Sequence, residues 1–212
     1  MAIEVEARFR AENSEVFGRL AAMDRLGEAE LGPAVTVDET DAYLDTADRA
    51  LGAERWACRL RHRQGRHTLS LKGPPAAGTG GWLHRRPELE GPATGERVPD
   101  RWPPSEARDL LDRLRAGRPL VEVLSLRQRR AEREVILHGR RIGVLTLDDV
   151  IVVAGGGEMG GFGIVELELA AGPAGDEAAL PALAAELAAD PGLAAEPRSK
   201  LERALELAGA RR

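Results

Sequence analysis

The sequence predicts an antiparallel α+β fold, a many-stranded sheet with a few helices, with closure into a barrel as one of its options. Three observations lead there. Charged and apolar residues alternate with period two in segment after segment. Turn signals such as Arg63-Gln64-Gly65-Arg66 and Gly139-Arg140 separate neighbouring segments at hairpin spacing. Helical periodicity with recognisable caps is confined to a few short stretches between them.

In chain order, residues 2–10 alternate as a strand. Glu4, Glu6 and Arg8 project on one face and Ile3, Val5, Ala7 and Phe9 on the other. Asn13 or Ser14 caps a helix that runs to about Leu26 on an apolar stripe of Val16, Phe17, Leu20 and Met23, with Gly27 as its stop. Residues 35–38 and 41–45 read as two short strands. Residues 55–63 set Arg55, Arg59, Arg61 and Arg63 against Trp56, Cys58, Leu60 and His62, and 68–72 set Thr68, Ser70 and Lys72 against Leu69 and Leu71. The Pro, Ala and Gly of 74–81 make a loop. Residues 82–90 alternate again with His84, Arg86, Glu88 and Glu90 together. Ser105 caps a helix to Leu114. Residues 121–137 read as a long strand with Arg127, Arg129 and Arg133 on one face. After the turn at Gly139, residues 141–153 set Thr146 and Asp148 against Leu145 and Leu147. Gly155 to Gly163 reads as a flexible loop, 164–170 as a strand with Glu166 and Glu168 opposite Val165, Leu167 and Leu169. Residues 177–188 and 199–207 are helical.

Composition narrows the function classes. The 212 residues fit one domain, and no linker forces two, so residues 1–212 are read as a single unit. A net charge of −5 gives no general field for nucleic acid, so an anion site has to be a local cluster. The single Cys58 excludes an internal disulfide framework and suits a reducing cytoplasm. There is no apolar leader and no run long enough to span a bilayer, so no membrane role is expected. Among 30 basic residues only Lys72 and Lys200 are lysine, which singles both out.

The charges also segregate by strand. Glu166 and Glu168 form an acidic pair, Arg59/Arg61 and Arg127/Arg129 form basic pairs, and Arg86-x-Glu88-x-Glu90 reverses Glu4-x-Glu6-x-Arg8. A solvated sheet face explains any one strand. Like charges two residues apart repel, however, and the repetition calls for counter-ions. Acid pairs suit a hard cation with oxygen ligands, Mg²⁺ or Mn²⁺, and arginine pairs grip phosphate.

The motifs that carry these charges resemble those of the CYTH family, the triphosphate tunnel metalloenzymes. Glu4-Val5-Glu6-Ala7-Arg8 is similar to the family's ExExK signature, with Arg at the lysine position. Tyr43-Leu44-Asp45-Thr46, Arg59-Leu60-Arg61, Leu71-Lys72-Gly73, Arg86-Pro87-Glu88-Leu89-Glu90, Arg127-Gln128-Arg129-Arg130, Leu147-Asp148-Asp149-Val150 with Val165-Glu166-Leu167-Glu168, and Ser199-Lys200 follow in the family's order. The resemblance implies roughly eight antiparallel strands closed into a tunnel with a polar interior, flanked by helices on the apolar outer faces.

It also implies hydrolysis of a small triphosphate with Mg²⁺ or Mn²⁺. Arg8, Arg59, Arg61, Lys72, Arg86, Arg127, Arg129 and Lys200 would hold phosphate oxygens. Glu4, Glu6, Asp148, Glu166 and Glu168 would hold the metal, with Glu88 and Glu90 as candidates for a second ion or as partners of the arginines. Glu4, Glu6, Lys72, Arg59 and Arg61 would be the catalytic set. Inorganic tripolyphosphate is the expected substrate. A class IV adenylyl cyclase, a thiamine triphosphatase and a polyphosphate-binding module are the alternatives, and a homodimer is an assembly open to such a chain. Arg130, Arg140 and Arg141 read as solvated, Cys58 and Trp56 as packing residues. The four histidines lack metal-ligand spacing, and Gly155-Gly156-Gly157 lacks the Lys and Ser/Thr of a phosphate loop.

Overall fold

The alternating segments close on themselves because the longest hairpin supplies both the last strand of the sheet and the partner of a strand near its start. The computed structural model describes residues 2–13, 15–76, 81–170 and 174–209. Its strands are β1 (Ala2–Ala11), β2 (Arg25–Leu26), β3 (Ala29–Leu31), β4 (Val35–Thr46), β5 (Ala57–Arg63), β6 (Arg66–Lys72), β7 (Leu83–Ala93), β8 (Leu120–Leu137), β9 (Arg140–Ala154), β10 (Gly157–Leu169) and β11 (Leu193–Ala195). The helices are α1 (Glu15–Ala22), α2 (Ala50–Ala53), α3 (Glu106–Arg115), α4 (Leu180–Ala188) and α5 (Lys200–Gly209). Every strand pairing is antiparallel. The order β8-β4-β5-β6-β7-β1-β10-β9, sealed by β9 against β8, makes an eight-stranded barrel. The short β2–β3 hairpin extends the β4 edge of β8, and β11 extends the β7 edge of β1.

Turn chemistry sets the registers. Gln64-Gly65, His138-Gly139 and Gly155-Gly156 all adopt positive φ at both positions, the two-residue turn whose twist matches antiparallel strands. The segment Gly157–Leu169 is one strand, so the loop expected over 155–163 is corrected to a turn of two residues. Its glycines misled the reading. A Cβ on Gly161 would lie 2.6 Å from the Val150 carbonyl oxygen, so a close backbone approach, not flexibility, calls for glycine there. Residues 35–46 are likewise one strand. Helix α1 stops at Ala22, short of Leu26, because Arg25–Leu26 pair with Ala29–Glu30. Arg133 closes that end by donating to the carbonyls of Leu20, Ala21 and Met23. Ser105 caps α3 by accepting from Arg108 N, and Asn13 caps α1 by accepting from Glu15 N and Val16 N.

Helices α1 and α4 pack on the apolar outer faces of β1, β9 and β10 through Val16, Leu20, Leu183 and Leu187 against Phe9, Leu145 and Leu167. Helix α3 covers β6 and β7, and Trp102, Ala107 and Leu111 share one core with Leu60, Leu69, Leu71 and the buried Cys58. The barrel interior is divided. One part is charged. In the other, Leu124, Leu126, Val150, Val152, Phe162 and Ile164 point inward and meet Ala204 and Ala208 of α5. Helix α5 therefore fills the apolar part of the barrel and delivers its first residue, Lys200, to the boundary with the charged part. Among the described residues no helix is long and apolar enough to cross a membrane.

Candidate functional site: a charged cavity inside the barrel

The inward faces of the strands enclose a cavity of about 210 Å³. All the residues around it are charged except Tyr43, Ala57, Ser199 and Leu201. Both lysines of the chain, Lys72 and Lys200, lie in its wall.

On one side three carboxylates converge. Glu4 and Glu6 on β1 and Glu168 on β10 bring one oxygen each within 4.8 Å of one another. The register places Glu6 directly opposite Glu168. Burial alone would raise Glu4, but Lys72 and Arg86 both pair with it and hold it at about 2. Glu168 is open to the cavity yet deep in the barrel wall. Burial first, then Glu4, Glu6 and Glu88, push it up to about 7 against the pull of Lys72. Glu6 is raised as well, by burial and by Glu4 and Glu166, with Arg8 opposing. Three oxygen donors at this spacing match what a hard divalent cation requires, and the raised proton affinity of Glu6 and Glu168 comes from burial and from like charges that such a cation would offset.

Asp148 and Glu166, also expected to hold the metal, stand apart from this group and are paired with cations in this structure. Lys200 Nζ lies 2.6 Å from Asp148 and 2.5 Å from Glu166. Arg130 grips Asp148 through two hydrogen bonds of 2.6 and 2.9 Å. Arg8 donates from Nε to Glu166 at 2.8 Å, pairs with Glu6, and reaches the Arg198 carbonyl at 2.8 Å. Burial would raise both carboxyls, yet these cations outweigh it and hold both below their ordinary values. Asp148 and Glu166 are thus each paired with at least two cations in this structure. Arg8, at the family's lysine position, forks between β1, β10 and the turn before α5, which a single ammonium could not do.

Ser199 and Glu202 fix that turn through a reciprocal cap. Glu202 N donates to Ser199 Oγ at 3.2 Å, and Ser199 N donates to Glu202 Oε2 at 2.7 Å.

The side of the cavity richest in arginine is built by β5, β6, β7 and β8. Arg59 lies between Asp41, Glu88 and Glu90 and donates to Ser70 Oγ at 3.0 Å. Its buried Nε finds no partner among the described residues. Arg61 forms a two-pronged pair with Asp41, 2.7 Å at each prong. Lys72 lies 3.2 Å from Glu88. Glu88 and Glu90 thus serve in this structure as partners of cations.

Arg127 and Arg129 lie outside the barrel. Arg127 is exposed and pairs with Glu158, and Arg129 is exposed on the same face. Their expected role in holding phosphate is corrected. Gln128 and Arg130 point inward instead, and Arg130, read as solvated, is buried between Asp148, Glu39 and Glu166. The alternation rule took apolar residues as outward. On β8 the inward parity also carries Leu124 and Leu126, so the rule chose the wrong face by one residue. Sequence reasoning also missed Glu39 and Asp41. Both are buried on β4. Asp41 is held below its ordinary value because Arg59 and Arg61 outweigh its burial. They share one face with the buried Val37 and Tyr43, a parity visible once 35–46 is taken as a single strand.

The remaining motif residues are structural. Asp45 accepts from Thr46 N, Leu51 N and Gly52 N, and so anchors α2. His84 Nε2 donates to the Glu196 carbonyl oxygen, 2.8 Å away. Burial and Arg8 push it down to about 4.

A protein-family model described as the CYTH domain matches residues 2–205. Several solved structures share the fold. A protein from Hippeastrum, described as a candidate adenylyl cyclase with a dominant triphosphatase activity, superposes with a TM-score of 0.68 at 20% identity, covering 96% of this chain and 95% of its own. A candidate adenylate cyclase from Bacillus halodurans gives 0.57 at 23% identity, covering 96% and 98%. The PH1819 protein from Pyrococcus horikoshii gives 0.55 at 24% identity, covering 96% and 98%. Curated proteins give no significant match. With the family model spanning nearly the whole chain and the charged barrel in place, the chain belongs to the CYTH domain family, the metal-dependent triphosphate tunnel enzymes that include triphosphatases and adenylyl cyclases.

Proposed function

We propose that the protein is a divalent-metal-dependent triphosphatase acting on a small linear triphosphate, inorganic tripolyphosphate above all. One observation carries this reading. The cavity wall is charged almost throughout, and Tyr43, Ala57, Ser199 and Leu201 are all it offers an organic moiety beside twelve charged side chains. Such a wall serves a polyanion and its counter-ion.

Glu4, Glu6 and Glu168 would hold Mg²⁺ or Mn²⁺. When bound, the cation supplies charge neutralisation at the phosphate oxygens and acidifies water for attack on phosphorus. The chain's own residues do the positioning, which is most of what phosphoryl transfer asks of a protein. Arg59, with its free Nε–H, and Arg61, held rigid by Asp41, present guanidinium forks toward the bound chain. Lys72 and Arg86 neutralise the end nearest Glu4. Arg130 and Lys200 add charge from the opposite wall, each anchored on Asp148. The protein's interior carboxylates keep this cation set soluble in an otherwise apolar barrel and need not move during reaction.

Incubation of the pure protein with tripolyphosphate, ATP or thiamine triphosphate and Mg²⁺ or Mn²⁺ tests the proposal. Phosphate release chiefly from tripolyphosphate is expected. Cyclic AMP formation from ATP overturns it in favour of a cyclase. Salt-sensitive binding without turnover turns it into a binding module.

A further inference from the structure

Next to the charged cavity lies a second space of about 470 Å³. The two share Arg8, Lys72 and Arg86, so the second is a vestibule of the first. Anything attached to a phosphate chain held at Lys72 and Arg86 extends into it.

The side chains that would meet that extension are cationic. Arg55 and Arg85 line the vestibule, and both are exposed. The Arg55 guanidinium makes no hydrogen bond or ion pair with a described residue, and only its backbone N is engaged, at the Gly52 carbonyl. Arg85 pairs with Glu177 at 2.9 Å, but both partners are more than a third exposed, and such a pair holds its arginine weakly. The vestibule's carboxylate, Glu202, is engaged with Ser199 N at the start of α5. Trp56 is the one large aromatic ring in the lining. It packs against the outer core with Leu60 and Leu71, and it lies so close to Gly73 that a Cβ there would sit 2.9 Å from the ring. The ring is part of the wall and is not a free platform for stacking. A positively charged substituent would be repelled here, a purine would find no sandwich, and further phosphates would find the Arg55 guanidinium and the weakly held one of Arg85.

We infer that the vestibule is an anion subsite for the continuation of a linear polyphosphate chain, so that the protein prefers chains longer than three phosphates. This rests on the triphosphate reading of the cavity. Linear tetrapolyphosphate and tripolyphosphate, each with Mg²⁺, compare the two directly by calorimetric binding and by phosphate release. Tetrapolyphosphate should bind about tenfold more tightly, the gain from one more charge-assisted contact. In the double variant Arg55→Gln/Arg85→Gln that ratio should fall to about one. Equal affinity for the two chains, a ratio that survives the double variant, or tighter binding of thiamine triphosphate than of either overturns the subsite. If neither chain is hydrolysed, the triphosphatase reading fails, while the binding ratio still decides the subsite.

Discussion

Lys200 Nζ lies 2.6 Å from Asp148 Oδ2 and thereby ties the first residue of α5 to the middle of β9. The same ammonium reaches Glu166 on β10. The helix that plugs the apolar part of the barrel is thus fastened at the point where the charged part begins. Removing the ammonium would leave two buried carboxylates leaning on Arg130 and Arg8 alone. Lys200→Met should therefore destabilise the fold by about 3–5 kcal/mol, the usual cost of stripping one partner from a buried ion pair. Chemical denaturation reads it directly. Adding Asp148→Asn to Lys200→Met should recover part of the loss, and purely additive destabilisation would show that the pair is not coupled.

Glu4, Glu6 and Glu168 are arranged for a cation and at odds with each other without one. Glu168→Gln removes one oxygen ligand and one like charge together. It should abolish the thermal stabilisation that Mn²⁺ gives the native protein, and lower metal-dependent turnover by about a hundredfold or more. The metal-free fold should be no less stable than the parent. A variant that still gains stability from Mn²⁺ would remove Glu168 from the ligand set.

The raised Glu168 also fixes the sign of a pH effect. Its carboxyl sits at about 7 in the fold, against 4.5 for the unperturbed group. Between those values the folded state holds a proton that the unfolded state releases, so this group's contribution to stability falls as pH rises through that window. His84, lowered to about 4, works the other way over an overlapping range. The clean quantity is the difference between the parent and Glu168→Gln. The variant's advantage without metal should grow from about pH 4.5 to 7, and saturating Mn²⁺ should reverse it. A difference independent of pH would show that Glu168 is not perturbed.

Much of this was legible in the sequence, for reasons that can be named. The strands of the barrel alternate because one face meets helices and the other meets charge, so parity put Glu4 with Glu6, Arg59 with Arg61, and Lys72 and Glu168 on the charged faces, and the family resemblance implied that those faces turn inward. Ser199-Lys200-Leu201-Glu202 carries its own cap, which fixes where Lys200 points. The failures share one cause. Parity was assigned on the premise that apolar means outward, and the interior is apolar wherever α5 enters it. On β1 and β10 the charged stretch is long enough to escape that ambiguity. On β8 the run Arg127-Gln128-Arg129-Arg130 offers arginine at both parities, and only the tertiary position of α5 decides between them. The division of the carboxylates into a cation group and a cation-holding group is likewise invisible in one dimension, since Glu166 and Glu168 differ only in which neighbours the barrel brings to them.

The face of β8 gives the sharpest separation of outcomes. Arg130 is buried against Asp148 and lines the cavity. Arg127 and Arg129 sit two residues apart on the outer surface. A surface guanidinium with one exposed partner contributes about 0–1 kcal/mol, and neither residue reaches the cavity. Arg127→Gln and Arg129→Gln should therefore leave both stability and tripolyphosphate turnover near the parent values. Arg130→Gln removes a buried cation from Asp148 and a phosphate-facing charge at the same time. It should lower the denaturation midpoint and cut turnover by about a hundredfold. Arg130→Lys keeps the charge but not the fork, so it should recover more of the turnover than of the stability. Steady-state rates on tripolyphosphate beside unfolding curves for the four variants decide the matter. A loss of turnover in Arg127→Gln or Arg129→Gln comparable to that in Arg130→Gln would return the outer pair to the site.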